Sequence, residues 1–436
     1  MAAGVSGEAA GLAGRALRHG TDAATRRFHE RTAARLVDTL GQMKGLPQKA
    51  GQILSLVDAA IPAEHREVYG EVLEKLQIRA SPLPWDDVRP VIEDCLGQPV
   101  DTLFATVDPT PVAAASIGQV HKARLTDGRA VAVKVQYPGV HAALTADLDN
   151  IGVLVRSMSA MVPHTDVRML LHDVTRSFLE ELDYPHEARV QAACAARWST
   201  DPDVLVPGVH PERSGDRVLT TDWVDGLDFP DARAASRTHR DRWGRILWDF
   251  TWTSITRDAW IHGDPHPGNF RFLPDGRLAV LDFGATACLP PPLHEGLSRA
   301  ADAARSGADS AQLLGHVLPA VGLPRDLSPE AAEPWACFSR LLFAPMAADG
   351  PFHFTRAYVR ALMDEIQAAK TEAAKTALWK GIPTPTTEGT VALMRTAMGQ
   401  AAVLAQLGTT LDLTAPRAPG LRHPTTAAPT AADAPT

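Results

Sequence analysis

The segment His262-Gly-Asp-Pro-His-Pro-Gly-Asn269 constrains this chain more than any other. Its two prolines and two glycines exclude a regular helix and make it a tight loop. Asp264 and Asn269 stand five positions apart and can aim both side chains into one site. An aspartate so placed can orient or deprotonate a hydroxyl, and an asparagine oxygen can ligate Mg²⁺. Taken alone, the loop also reads as an ordinary Pro/Gly turn with a helix cap.

The next segment narrows the choice. Leu281-Asp-Phe-Gly284 places Asp282 eighteen residues after Asp264. Phe270 to Leu281 reads as strand, turn, strand, with Pro274-Asp-Gly276 at the turn. A kinase sets its Mg²⁺-binding Asp-Phe-Gly aspartate across a small hairpin from its catalytic loop, and this hairpin has a suitable length. Asp282 and Asn269 are therefore the expected metal ligands, and Asp264 the residue that orients the attacking oxygen. Upstream, Lys134 interrupts the apolar strand Val131-Ala-Val-Lys134. An equivalent kinase lysine contacts the α- and β-phosphates, whereas the bland alternative is a lysine snorkelling at a sheet edge. Just before it, Ala113-Ala-Ala-Ser-Ile-Gly-Gln-Val120 fits a GxGxxGxV loop if Ala113 and Ala115 replace the first two glycines. Ser116, Gly118 and Val120 complete the expected nucleotide loop. Backbone amides there can still face phosphates, but each added Cβ restricts the backbone and blocks the closest approach.

The 436 residues suffice for more than one lobe. Residues from about Arg15 to Gln77 carry apolar positions at helical spacing, among them Leu36, Leu40 and Met43. Gln119–Leu125 and Arg129–Val135 read as strands joined at Thr126-Asp-Gly128, Ala142–Arg197 as helical, and Arg217–Val224 as a further strand. Beyond Gly226 the texture is mostly helical. The tail from Thr414, with five prolines among Ala and Thr, reads as disordered. Four scattered cysteines make no CxxC pair and fit a reducing compartment. A net charge of −8 disfavours non-specific nucleic-acid binding. The Ala/Gly-rich start argues against a signal peptide. No apolar run reaches 18 residues, Val391–Leu413 being interrupted by Arg395, Gln400 and Gln406, so no spanning helix and a cytoplasmic location are expected.

Taken in order, these segments resemble the UbiB/ADCK (AarF-domain) family of atypical kinases over roughly Leu36 to Leu289. Two motifs separate that family from ordinary kinases. Its KxGQ motif is matched by Lys49-Ala-Gly51-Gln52, and its ExD motif by Glu181-Leu-Asp183, with Glu187 four residues beyond. The resemblance implies an α+β, protein-kinase-like two-lobed fold with a helical N-terminal extension. It divides the chain into an extension (1–80), an N-lobe with a helical insertion (81–225), a helical C-lobe (226–413) and a tail (414–436). It implies that Lys134 pairs with Glu187, that Glu181 and Asp183 approach Lys49 and Gln52 across the cleft, and that backbone groups near Asp222 and Val224 hold adenine. The catalytic loop has His262 and Gly263 and lacks the arginine of HRD, as in the family.

ATP and Mg²⁺ are the cofactors so implied, with hydrolysis or phosphoryl transfer to a small or lipid-like molecule in isoprenoid quinone or lipid metabolism. A small-molecule phosphotransferase of the aminoglycoside or choline kinase type explains the catalytic loop but leaves Lys49-Ala-Gly-Gln52 unexplained. A nucleotide-sensing scaffold without useful turnover is the third reading. Peripheral contact with the inner face of a membrane would use the basic amphipathic stretch where Arg15, Arg18, Arg26, Arg27, Arg31 and Arg35 accompany Leu12, Leu17, Phe28 and Leu36. The same face could equally pack on the kinase lobes.

Overall fold

A computed structural model describes residues 82–114, 117–142, 181–380 and 389–415. The extension to residue 80 with Lys49, Gly51 and Gln52, the loop residues Ala115 and Ser116, most of the insertion after Pro138 and the tail beyond Ala415 lie outside them. The chain forms two compact units: residues 1–128 with 132–182, and residues 129–131 with 183–436.

In the first unit, helix α1 (Trp85–Leu96) forms because Asp86 and Asp87 favour its positive N-terminal end and Val88, Val91 and Ile92 share one buried face. Gly97, at φ 68°, ends it by donating its N–H to the Glu93 carbonyl at 2.8 Å. This helix was not foreseen; Pro90 inside it breaks up the sequence pattern. The single turn α2 (Val100–Leu103) follows, then β1 (Thr106–Val107), β2 (Ala113–Ala114), β3 (Gly118–Arg124) and β4 (Ala130–Gln136), of which the part from Ala132 belongs to this unit. Both β1 and β2 pair antiparallel with β3, in the registers Thr106↔Arg124 and Ala113↔Val120. In β4 the side chains alternate, so Val131, Val133 and Val135 are fully buried while Lys134 lies half-buried on the other face. A buried polar chain ties β3 to the entry of α1. Gln119 Oε1 accepts from Leu83 N–H (2.8 Å), and its Nε2 donates to His121 Nε2 (2.9 Å), which leaves Nδ1–H of His121 to reach the Asp108 carbonyl (2.8 Å).

The second unit starts with α3 (Tyr184–Trp198), β5 (Val204–Leu205) and β6 (Val218–Asp222), then α4 (Phe229–Ala234) and the long α5 (Arg237–Thr256). Helix α5 begins where Ser236 caps the His239 N–H, and it buries Trp243, Phe250 and Trp252 in the main core. Next come β7 (Trp260–Ile261), β8 (Phe270–Phe272), β9 (Leu278–Val280) and β10 (Ala287–Cys288). Strands β8 and β9 form the expected antiparallel hairpin, β5 adds to β9 in parallel, and β7 pairs antiparallel with β10. The remainder is α6 (Pro291–Arg305), α7 (Ser310–Ala320), α8 (Pro329–Ala347), β11 (Phe352–His353), α9 (Arg356–Lys380), α10 (Thr390–Leu407) and β12 (Thr410–Leu411), with β11 and β12 paired. Helix α10 lies against α5, and buried Gln400 on it donates to the Leu247 carbonyl at 3.1 Å. No described helix is long and apolar enough to cross a membrane.

Candidate functional site

Strand β7 delivers the chain directly into the Asp264 loop, and the turn just before it is strained. Ala259 has φ 55°, a left-handed conformation that a Cβ disfavours. It is held there because its carbonyl accepts from Leu289 N–H at 2.7 Å, beside the β7–β10 pair. Two residues after β7, Gly263 has φ +81°, and a Cβ on it would sit 1.8 Å from the Ala285 carbonyl oxygen. No other residue type fits that position without moving the loop that follows Asp282.

Asn269 then folds back on the aspartate. Its Nδ2 donates to the Asp264 carbonyl at 3.0 Å and to Asp264 Oδ2 at 2.9 Å. The amide is thereby oriented so that its Oδ1 makes no hydrogen bond among the described residues. A short 3₁₀ turn, Pro267–Asn269, fixes this geometry: Asn269 N–H meets the His266 carbonyl, and His266 Nδ1 accepts from Gly268 N–H. On the far side of the hairpin, Leu281 N–H returns to the Asn269 carbonyl at 2.9 Å, which sets Asp282 close to the loop. Asp282 Oδ1 accepts from Gly284 N–H at 3.0 Å.

Glu187 joins from α3. Asp183 caps this helix by accepting His186 N–H at 2.8 Å, and Glu187 is buried in its first turn. The position of a Cβ on Gly284 would lie 3.4 Å from both Glu187 Oε2 and Asp282 Oδ1. The second unit thus assembles Asp264, Asn269, Asp282 and Glu187 around two short loops. Beneath them is His262, buried among Phe250, Phe270 and Phe283, with ring centroids 5.4–6.2 Å away. Among the described residues, neither ring nitrogen of His262 has a hydrogen-bond partner within normal geometry. Burial pushes it below the ordinary histidine range, although Asp282 and, to a lesser extent, Asp264 pull the other way.

The hinge candidates separate by role. The Asp222 side chain is engaged locally, accepting from Gly208 N–H at 3.0 Å and His210 Nε2 at 2.9 Å. Its own N–H goes to Gly208, and the next N–H, of Trp223, goes to the Ala130 carbonyl at 3.0 Å. The Val224 N–H has no partner among the described residues. In the first unit, Ala113 is exposed in β2, Val120 faces it in register, and Gly118 is buried at the start of β3. Glu181 is half-buried at the end of the first unit, and the adjacent Leu182 carbonyl accepts from Gln136 Nε2 at 2.7 Å. Lys134, with strands β2 and β3, belongs to the first unit, and Glu187, with the acidic loops, to the second.

The donor set suits a hard cation. An asparagine oxygen and a carboxylate are the oxygen ligands that Mg²⁺ prefers. One contributor escaped the sequence reading. Arg395, noticed there only as a break in an apolar run, donates from Nε to the Gly263 carbonyl at 2.6 Å.

Paired short strands beside a helical core, with two acidic loops flanking a hairpin, define a protein-kinase-like α+β fold. Residues 75–304 match the family model described as the ABC1 atypical kinase-like domain. The chain belongs to this family, the UbiB/ADCK or AarF-domain group of atypical kinases. It is 34% identical over 239 residues to a chloroplastic aarF domain-containing protein kinase of Arabidopsis thaliana, an alignment covering 53% of this chain and 33% of that one. It is 33% identical over 267 residues to AarF domain-containing protein kinase 1 of Mus musculus, covering 59% and 49%. The chain thus spans between a third and a half of the length of these relatives. Among solved structures, the Mycobacterium tuberculosis protein Rv3197 in complex with erythromycin matches with TM-score 0.60 and 33% identity, covering 89% of this chain and 95% of that one.

Proposed function

We propose that this atypical kinase binds ATP with Mg²⁺ and either hydrolyses it or transfers its γ-phosphoryl group to a small or lipid-like acceptor. The observation that carries this reading is the posture of Asn269, which grips Asp264 through Nδ2 and so keeps Oδ1 for a metal. Asn269 Oδ1 and Asp282 would hold Mg²⁺, which on binding neutralises charge on the β- and γ-phosphates. Asp264 orients the attacking oxygen and takes its proton, ADP leaves, and Lys134, paired with Glu187, neutralises the α- and β-phosphates. The loop of Ala113, Ala115, Ser116, Gly118 and Val120 covers the phosphates, and the Val224 N–H, with backbone near Asp222, receives adenine. The extension of residues 1–80 lays Lys49, Gly51 and Gln52 over Glu181 and Asp183 and excludes bulky protein substrates, with residues 81–225 and 226–413 as the two lobes. The acceptor belongs to isoprenoid quinone or lipid metabolism, met by peripheral contact with the cytoplasmic face of a membrane. Single-turnover incubation with γ-labelled ATP tests the chemistry. Label should leave ATP in the parent and stay on it in Asp282→Asn, which should also lose Mg²⁺-ATP-dependent thermal stabilisation. Equal stabilisation of parent and variant would sink the metal assignment.

One observation favours a second reading, a small-molecule phosphotransferase: the solved relative is in complex with erythromycin, a small polyhydroxylated molecule rather than a protein. Label moving from ATP onto a macrolide hydroxyl would support it, and label appearing only as inorganic phosphate would count against it.

A further inference from the structure

We infer that Arg395, with Gly399 one turn later on α10, is a positioning residue that holds the Asp264 loop in its working conformation. The inference rests on the reading of Asp264 as the residue that orients the attacking oxygen. Four contacts converge on the three consecutive residues Gly263, Asp264 and Pro265. The Gly263 carbonyl accepts from Arg395 Nε at 2.6 Å. The other side of Gly263 lies so close to the Ala285 carbonyl that a Cβ would come within 1.8 Å of it. Pro265 presses on α10 where Gly399 leaves room, since a Cβ on Gly399 would lie 2.4 Å from Pro265 Cγ. Asp264, between these two neighbours, is gripped from its own side by Asn269.

The geometry is helical in origin. Residues four apart lie on one face of a helix, so Arg395 and Gly399 meet the loop together. The neighbouring Gln400 turns to α5 and anchors the helix there through the Leu247 carbonyl. Glycine within a helix is disfavoured relative to alanine, and at 399 that cost is offset by the close approach of Pro265. The family model ends at residue 304, so this brace comes from beyond the matched domain. HRD kinases carry an arginine inside the catalytic loop; here an arginine reaches the loop from 132 residues downstream.

Four variants of the full chain test the inference: Arg395→Met, Arg395→Lys, Gly399→Ala and, as a control on helix anchoring alone, Gln400→Leu. The readouts are hydrogen exchange of peptides spanning 262–270, and kcat and KM for ATP. Displacing a reacting group by about 1 Å can cost about 100-fold. Arg395→Met and Gly399→Ala should therefore lower kcat by about 10–100-fold while KM for ATP changes less than about threefold. Exchange over 262–270 should quicken in both, and Arg395→Lys, which can still donate to the carbonyl, should fall between parent and Met. Gln400→Leu should lower Tm without altering kcat or exchange in the loop. Gly399→Ala raises helix propensity, so it carries the test even if Arg395→Met fails to fold. Unchanged exchange in both Arg395→Met and Gly399→Ala would overturn the inference. A parent that turns over no ATP would instead refute the enzymatic reading, and exchange would still decide whether α10 holds the loop.

Discussion

Replacing Gly118 with alanine separates two reasons for a glycine in the proposed nucleotide loop. One is close approach of the backbone to phosphate; the other is crowding inside the sheet. A Cβ on Gly118 would lie 2.1 Å from the Val135 carbonyl oxygen and 2.9 Å from its carbon. Ordinary C···O contacts begin near about 3.3 Å, so β3 and β4 must part by roughly 1.2 Å at that point. The adjoining bond, Tyr137 N–H to the Ile117 carbonyl at 2.9 Å, cannot survive such a shift intact. Losing one such bond costs about 0.5–1.5 kcal/mol, and overpacking adds about 1–3 kcal/mol. A total of about 2–4 kcal/mol follows, or a fall in Tm of roughly 5–15 °C for a domain of this size. The assay is thermal unfolding of parent and Gly118→Ala without nucleotide, followed by titration with Mg²⁺-ATP. An unliganded Tm within about 2 °C of the parent, with nucleotide binding lost, would refute the crowding argument and return the glycine to phosphate approach alone.

Ala259→Gly should stabilise the protein by up to about 1 kcal/mol, because relief of a left-handed Cβ outweighs the added chain entropy; a lower Tm would show that the turn is not strained. Asp258, with a fully buried side chain, accepts from Arg197 and, at 2.6 and 2.9 Å, from Arg257. Asp258→Ala should cost about 2–3 kcal/mol in chemical denaturation, below the about 3–5 kcal/mol of a fully buried pair because both arginines reach solvent; a cost under about 0.5 kcal/mol would contradict this. Burial pushes His121 below the ordinary histidine range. Its folded pKa is depressed, so the stability tied to its neutral form is present above the unfolded value of about 6.5 and is lost as pH falls toward the folded one. Stability measured against pH should therefore decline on acidification below about 6.5, and a His121→Gln variant should show a shallower decline in that window.

What the sequence discloses is local. The β8–β9 hairpin announces itself through Pro274-Asp-Gly276, and Gly276 adopts φ +88° at its turn. Strand β4 is legible because Val131, Val133 and Val135 alternate with small or polar residues. The Asp264–Asn269 spacing is equally local, since a single 3₁₀ turn closes it. Helix α1 escaped because Pro90 interrupts a short pattern. The carboxylate of Asp222 is taken up by Gly208 and His210, partners more than ten residues away that no local pattern announces. Gly118 and Gly263 look alike in sequence to any turn glycine; what each must avoid is a carbonyl on another segment. Arg395 is the extreme case, because no periodicity or motif connects it to Gly263.

The distance along the chain between Gly263 and Arg395 also has a meaning in time. Ribosomes add about 5–20 residues per second, so the 132 residues that follow Gly263, up to and including Arg395, take roughly 7–26 s to make. For most of that interval, once Asp282 has been added, the nascent chain holds Glu187, Asp264, Asn269 and Asp282 but not the arginine on α10. A product released early by truncation is in the same condition. On the reading proposed above, an unfinished copy carries the Asp264 loop without its brace from α10, and turnover of nucleotide would await completion of that helix.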